Sequence, residues 1–125
     1  MSWQLEKKFS FEASHQLPHH EGKCRRLHGH SWVGWLICEG THLQETGSSK
    51  GMLIDFGDMK QVIDPLLENF LDHWHLNETL KMESPTSEEV ARWVYQKIKP
   101  SLPSLAAVRI EETCTVRCEY RPLEK

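Results

Sequence analysis

The residues best suited to chemistry lie between Lys23 and His30, where the sequence reads Lys-Cys-Arg-Arg-Leu-His-Gly-His. A thiol, two imidazoles and three cations are crowded into this short stretch. His28 and His30 are two positions apart, so in an extended strand both side chains project from the same face. Such a pair is either two ordinary strand residues or part of a metal site.

His15 supplies a third imidazole. From Trp3 to His15 most odd positions are apolar and most even positions are polar, a pattern typical of a half-buried strand with His15 in phase with the buried face. Three imidazoles from adjacent strands could converge on one point and leave a fourth position open, as a catalytic zinc site requires. The in-phase position of His15 therefore favours a metal site over ordinary strand residues.

Cys24 has three possible roles. It could be a small buried filler, or a fourth metal ligand at Cys-x3-His spacing. It could also be an accessible thiol whose thiolate is favoured by Lys23, Arg25 and Arg26, and this position predicts a base or a nucleophile. The three cations are either a solvated face or a cradle for phosphate oxygens, which arginine grips with two hydrogen bonds.

Two further carboxylates are candidates for a site. Asp72 precedes His73, so it could orient and polarise that imidazole for acid-base catalysis, or it could be a turn residue. Glu112 follows Val108 and Ile110 in period two and should point inward, where an unpaired carboxylate is costly. A ligand with paired N–H donors, such as a guanine-like or pterin edge, would satisfy it, and so would a buried arginine or a backbone N–H.

Hydrophobic periodicity predicts the elements that position these residues. The predicted strands are Trp3–His15, His28–Glu39, Val108–Glu112 and Val116–Tyr120. Between the first two strands, a loop rich in polar residues carries Cys24. Residues 52–56 are predicted to form a short extended piece, and residues 71–77 an ordered loop.

Two amphipathic helices are predicted between the strand pairs. The first begins at Asp58 as N-cap, follows apolar positions 59, 62, 63, 66, 67 and 70, and should be kinked or locally broken at Pro65. The second begins near Thr86, which forms a capping box with Glu89, and ends at Pro100. The predicted fold class is α+β, an antiparallel four-stranded sheet with two helices on one face in ββααββ order.

Composition limits the class of protein. A chain of 125 residues is predicted to be one domain, 1–125, and its net charge of -3 from 15 basic and 18 acidic residues gives no broad surface for nucleic acid or an anionic membrane. No segment is apolar enough for a membrane span or a secretion signal. Four irregularly spaced cysteines predict reduced thiols, with Cys114 and Cys118 as packing residues. Together with the lack of a long apolar segment, this predicts a soluble cytoplasmic protein.

Taken together, these motifs resemble the 6-pyruvoyltetrahydropterin synthase superfamily of tunnelling-fold enzymes. Within it they are most similar to the 6-carboxytetrahydropterin synthases of queuosine biosynthesis, because Cys-x3-His-Gly-His and Glu-Thr-Cys-Thr are typical of that branch. Arg25 stands where glycine is common, and Trp74-His75 replaces a more usual His-Tyr. The matching pieces are Phe11–His15, Cys24–His30, Gly51–Phe56, Leu71–His73, Pro85–Glu88 and Glu112–Thr115.

The resemblance implies roles for individual residues. His15, His28 and His30 would bind one zinc ion per subunit. Cys24 would accept a proton, Asp72 and His73 would form an acid-base relay, and Glu112 would anchor the pterin. Further substrate contacts are expected from Thr86, Lys23 and Arg26. The implied assembly is a homohexamer of two trimers with active sites between subunits.

The implied reaction converts 7,8-dihydroneopterin triphosphate to 6-carboxy-5,6,7,8-tetrahydropterin, acetaldehyde and triphosphate. The same scaffold could instead run pyruvoyl-forming chemistry or cleave the dihydroneopterin side chain. A different class of function also fits the residues: a non-catalytic, zinc-stabilised binding module in which Cys24 closes the metal site as the fourth ligand.

Overall fold

Two long strands form the centre of the fold in a computed structural model that describes residues 2–123. β1 (Trp3–His15) and β2 (His28–Gly40) pair in antiparallel register. Phe9, Phe11 and Ala13 are buried along one side of β1, as the period-two pattern predicts. The ends of the predicted domain, residue 1 and residues 124–125, lie outside the described residues.

The sheet has five strands in the order β3-β1-β2-β4-β5, so the prediction of four antiparallel strands was wrong. β4 covers Leu105–Glu111 and β5 covers Arg117–Tyr120. The additional strand, β3 (Trp74–His75), lies in the predicted loop and pairs in parallel with β1. Two residues are too few to produce a periodic pattern, and the parallel pairing depends on how the preceding helix returns the chain to β1.

The first helix begins earlier than predicted. α1 covers Phe56–Leu66, and its N-cap is Asp55, whose Oδ1 accepts a hydrogen bond from the Gly57 N–H at 2.8 Å. Asp58 therefore lies in the first turn of α1, where its negative charge interacts favourably with the helix dipole. The prediction of an extended piece over residues 52–56 was wrong, because these residues form no strand. One residue beyond Pro65 the α-helix gives way to a π-helical turn, Leu67–Leu71.

Two helices follow the short strand β3. α2 covers Leu76–Thr79 and α3 covers Ser87–Ile98. Thr86 caps α3, because its Oγ1 accepts a hydrogen bond from the Glu89 N–H at 3.1 Å. The other half of the predicted capping box is absent among the described residues, since the Thr86 N–H donates to Ser84 and the Glu89 carboxylate pairs with Arg92.

The helices cover one face of the sheet. Met59 and Ile63 of α1 and Val90 and Val94 of α3 are buried in one cluster with Trp32 and the other inward side chains of the strands. On the opposite face, charged side chains pair across strands, as Arg109 does with Glu6 and Glu119. None of the described helices is long and apolar enough to cross a membrane.

The four cysteines are free thiols, as predicted. Cys118 packs against the apolar cluster, but Cys114 is exposed, so the prediction that it is a packing residue was wrong. It lies in the connection between β4 and β5, where the chain has left the sheet and no neighbouring layer covers it.

Candidate active site

The three predicted ligand histidines meet at one end of the β1–β2 pair. His15 lies directly opposite His28 in the register, and Ala13 lies opposite His30, so all three imidazoles project from the core-facing side. The ring centroids are 4.5 Å apart for His15 and His28, 5.2 Å for His15 and His30, and 4.8 Å for His28 and His30. One nitrogen from each ring lies within 4.8 Å of the other two, and this group can hold a metal ion.

The hydrogen bonds of the rings match those of metal ligands. His15 Nδ1 lies 2.8 Å from the Pro85 carbonyl oxygen, and His28 Nδ1 lies 2.7 Å from the Arg26 carbonyl oxygen. A carbonyl only accepts, so Nδ1 carries the proton in both rings and Nε2 keeps its lone pair. The Nε2 atoms of His15, His28 and His30 are buried without a hydrogen-bond partner. Such orphaned nitrogens fit a bound metal ion, which would satisfy all three.

Burial also keeps His15 suitable for a metal. Its exposed fraction is 1%, and burial lowers its pKa, although the hydrogen bond to Pro85 and the charge of Glu112 act in the opposite direction. The neutral imidazole is the form that binds metal.

Glu112 faces the histidines, as the period-two pattern predicts. Its carboxylate lies 3.5 Å from His15 Nε2 and 3.7 Å from His30 Nε2. The preceding Glu111 points to the other face of the sheet and accepts a hydrogen bond from the Trp35 ring N–H at 2.8 Å. Glu112 is therefore beside the candidate metal group and partly accessible, so a ligand entering the site can reach it.

Asp72 and His73 lie just before β3, beside the edge of β1 that faces away from β2. Asp72 Oδ2 is 3.0 Å from His73 Nδ1, and Asp72 Oδ1 accepts a hydrogen bond from the Glu12 N–H at 2.9 Å. That backbone hydrogen bond is the main reason why the pKa of Asp72 is lowered. His73 has a φ of 66° and its N–H donates to the Glu12 carbonyl oxygen at 2.6 Å. A left-handed histidine is uncommon and is held by these contacts with β1.

One cavity lies beside β1 and is lined by one residue of each group. It has a volume of about 620 Å³ and is lined by Glu12, Ser14, His30, His73 and His75, among others. His30 of the metal group and His73 of the Asp-His pair thus both line this space, whereas His15, His28 and Asp72 are not among its lining residues. The sequence did not single out His75, whose Nδ1 lies 3.0 Å from Ser14 Oγ. The only signal in the sequence for a role of His75 in this cavity is its position two residues after His73.

The remaining predicted residues lie outside this cavity. Cys24 is half-buried in a 3₁₀ turn, Lys23–Arg25, that leads toward β2. The side chains of Lys23 and Arg26 are exposed, and Thr86 caps α3. Sequence reasoning missed the carbonyl groups of Pro85 and Arg26, because every residue has a carbonyl group and no residue type identifies the one that will meet a histidine.

Comparison with known proteins identifies the family. Residues 4–123 match the family described as 6-pyruvoyl tetrahydropterin synthase. The chain belongs to this family. A Synechocystis relative named 6-carboxy-5,6,7,8-tetrahydropterin synthase is 51% identical over 119 residues, which cover 94% of this chain and 92% of the relative. The prediction of an enzyme of the 6-pyruvoyl tetrahydropterin synthase family is confirmed.

Other members of the family agree in sequence and fold. A Haemophilus influenzae relative, also named 6-carboxy-5,6,7,8-tetrahydropterin synthase, is 31% identical over 95% of this chain and 99% of its own length. A Pyrococcus furiosus relative named dihydroneopterin monophosphate aldolase is 34% identical over 75% of this chain and 73% of its own. The structure of Caenorhabditis elegans 6-pyruvoyl tetrahydropterin synthase superposes with a TM-score of 0.83 at 27% identity, covering 98% of this chain and 97% of that one.

Proposed function

We propose that the protein is a zinc-dependent 6-carboxy-5,6,7,8-tetrahydropterin synthase. It would convert 7,8-dihydroneopterin triphosphate and water to 6-carboxytetrahydropterin, acetaldehyde and triphosphate, as a carbon-carbon lyase in queuosine biosynthesis. The observation that carries the proposal is the set of three buried Nε2 atoms without hydrogen-bond partners. His30 of this set also lines the same cavity as His73. The Synechocystis relative supports the carboxy-forming branch through its 51% identity.

His15, His28 and His30 would hold the zinc ion through Nε2. Three protein ligands would leave a position for substrate, and a zinc ion there would supply Lewis-acid chemistry to the substrate. The carbonyl groups of Pro85 and Arg26 keep the Nδ1 proton on His15 and His28, so both rings remain oriented with Nε2 toward the same point.

The remaining residues would bind substrate and move protons. Asp72 holds Nδ1 of His73, which leaves His73 Nε2 to exchange a proton with substrate in the cavity. Cys24 would accept a proton on the other side of the substrate. Glu112 would bind the paired N–H donors of the pterin edge, to which a carboxylate is complementary. Lys23, Arg26 and Thr86 are proposed as the contacts to the remainder of the substrate.

The active enzyme is proposed to be a homohexamer of two trimers with sites shared between subunits, located in the cytoplasm. Within residues 2–123, β5 pairs with β4 alone, and the outer edge of β1 is bonded only near its end, to β3 at Ala13 and Ser14 and to residues 72–73 at Glu12, so much of both outer edges of the sheet is unpaired. Open edges favour pairing with another chain. Sedimentation equilibrium should give six times the 14.6 kDa mass of one chain, and a monomer would contradict the proposal.

Product analysis tests the activity. Zinc-loaded protein incubated with 7,8-dihydroneopterin triphosphate should release acetaldehyde together with 6-carboxytetrahydropterin, both measured by mass spectrometry. Turnover without acetaldehyde would reject the carboxy-forming reaction in favour of the pyruvoyl-forming one or of side-chain cleavage, which the pterin product then distinguishes. The Cys24→Ala variant should keep its zinc and lose turnover. Loss of zinc from this variant would instead support a closed structural site and a non-catalytic binding module.

A second candidate is cleavage of a dihydroneopterin side chain. The Pyrococcus furiosus relative named dihydroneopterin monophosphate aldolase favours it, since it is 34% identical over 75% of this chain. The two functions are distinguished by the substrate that the enzyme converts. An enzyme that cleaves dihydroneopterin monophosphate and leaves the triphosphate intact would be an aldolase, and the reverse preference supports the synthase.

A further inference from the structure

The position of His15 depends on a part of the chain far from β1. Its Nδ1 proton is held by the carbonyl oxygen of Pro85, 70 residues away in sequence. Pro85 lies between α2 and α3 in a segment with no helix or strand of its own. Something must therefore hold this segment against the end of β1.

Asn77 makes that connection. Its Oδ1 accepts a hydrogen bond from the Gln16 N–H at 3.0 Å, and its Nδ2 donates to the Gln16 carbonyl oxygen at 2.9 Å and to the Glu83 carbonyl oxygen at 3.0 Å. Gln16 follows His15 directly, and Glu83 is two residues before Pro85. The orientation of the amide is determined by its partners, because a carbonyl oxygen can only accept and a backbone N–H can only donate.

We infer that Asn77 is a positioning residue for the metal site. Asn77 links Gln16, the residue after His15, to the segment that carries the Pro85 carbonyl group. This link determines the distance between His15 Nδ1 and the Pro85 carbonyl oxygen. The inference rests on the proposed function only in that the three histidines bind zinc. Removal of a group that hydrogen-bonds to a ligating histidine typically lowers metal affinity by about 10- to 100-fold.

The test measures zinc affinity by competition with a chromophoric chelator. Asn77→Ala removes all three bonds, and zinc affinity is expected to fall by about tenfold, the lower end of the range for direct partners, because Asn77 acts on His15 through the Pro85 segment. Asn77→Asp keeps an acceptor for the Gln16 N–H, but it cannot donate to the carbonyl oxygens of Gln16 and Glu83 and should also lose affinity. In long-range ¹H–¹⁵N spectra of the zinc-free variants, His15 should no longer populate the Nδ1–H tautomer alone.

Two controls separate positioning from general loss of structure. Thr79→Ala removes a hydroxyl of the same short helix that donates to the Phe70 carbonyl oxygen at 2.6 Å, and it should destabilise the helix without lowering zinc affinity. Glu83→Ala removes the side chain that pairs with His19 and leaves the backbone carbonyl in place, so zinc affinity should be unchanged.

Three outcomes are decisive. Folded Asn77 variants that bind zinc as the wild type does, with the His15 tautomer unchanged, would overturn the inference. Equal loss in Thr79→Ala would also overturn it, because the effect would then belong to the whole of α2. If wild-type protein itself binds no zinc, the proposed metal site fails, and the tautomer measurement alone decides whether Asn77 positions His15.

Discussion

At the scale of single residues, hydrogen bonds to the backbone hold one polar atom of each of several site side chains and so determine which of its atoms remain unpaired. Nδ1 of His15 and of His28 is held by carbonyl groups, and Asp72 is held by the Glu12 N–H. These contacts leave the Nε2 atoms without a partner and direct the second Asp72 oxygen to His73 Nδ1. Two residue changes test this description.

Asp72→Asn should reduce turnover strongly. The amide keeps an oxygen that can accept from the Glu12 N–H but removes the negative charge beside His73 Nδ1. Loss of a general acid-base partner typically costs about 10²- to 10⁴-fold in rate, and kcat for acetaldehyde release should fall within that range. Zinc content serves as the control and should not change. A kcat close to wild type would remove Asp72 from the proposed relay.

The stability of the metal-free protein should fall as the pH decreases below the pKa of an unfolded-state histidine. Burial lowers the pKa of His15 in the folded protein from the usual 6.5, so between these two pKa values the unfolded chain binds more protons than the folded one. The free energy of unfolding in urea should therefore decrease as pH falls from about 7.5 to about 5.5, starting near the unfolded-state pKa.

Two substitutions test whether His15 causes this pH dependence of the free energy of unfolding. His15→Gln removes the titrating group and keeps a donor for Pro85, so the free energy of unfolding should depend less on pH. His42→Gln changes an exposed histidine and should keep the wild-type slope. An unchanged slope in His15→Gln would assign the effect to other groups.

At the scale of elements, the pairing of β1 with β2 determines where the histidines meet. Phe9 lies opposite Gly34 in the register, and its ring fills the space that a side chain at position 34 would occupy. A Cβ added to Gly34 would lie 2.1 Å from Phe9 Cζ. The absence of a side chain at this position therefore allows the two strands and their aromatic layer to pack.

Gly34→Ala should destabilise the fold. The aromatic ring must move within a packed core, and overpacking of this kind typically costs about 1–3 kcal/mol of the free energy of unfolding. Gly29→Ala on the same strand is a matched control, because its Cβ would meet only the Ala13 carbonyl oxygen at an ordinary 3.5 Å. Urea unfolding measures both. Equal stabilities for the two variants would contradict this account of Gly34.

At the scale of the whole molecule, a metal ion at the three histidines would link the end of β1 to the start of β2 and close the loop between them. β1 also holds β3 and, through Glu12, the Asp72–His73 pair. One strand thus joins the metal group, the acid-base pair and the sheet. Metal binding should accordingly be coupled to the stability of the fold.

Removal of the metal should lower the melting temperature. A ligand that binds only the folded state adds about 4 kcal/mol when its free concentration is 1,000 times its Kd. Scanning calorimetry of zinc-loaded protein with and without EDTA measures the difference. His28→Ala should melt at one temperature under both conditions, since it lacks a ligand. A wild-type protein insensitive to EDTA at saturating zinc would contradict the proposed site.

The sequence by itself determined the parts of the site that depend on periodicity. Alternation along Trp3–His15 placed His15 on the core side, and the spacing of His28 and His30 put both on one face. The same reasoning placed Glu112 inward and Thr86 at the start of a helix. These predictions held because side-chain direction in a strand and capping at a helix end are local properties of the chain.

Only the tertiary structure decided which distant groups complete the site. The Pro85 carbonyl group reaches His15 across 70 residues, and the Glu12 N–H reaches Asp72 across 60. The parallel pairing of β3 and the early N-cap at Asp55 were likewise missed. Backbone groups are the same in every residue but proline, so their partners are determined by the packing of elements and not by the sequence around them.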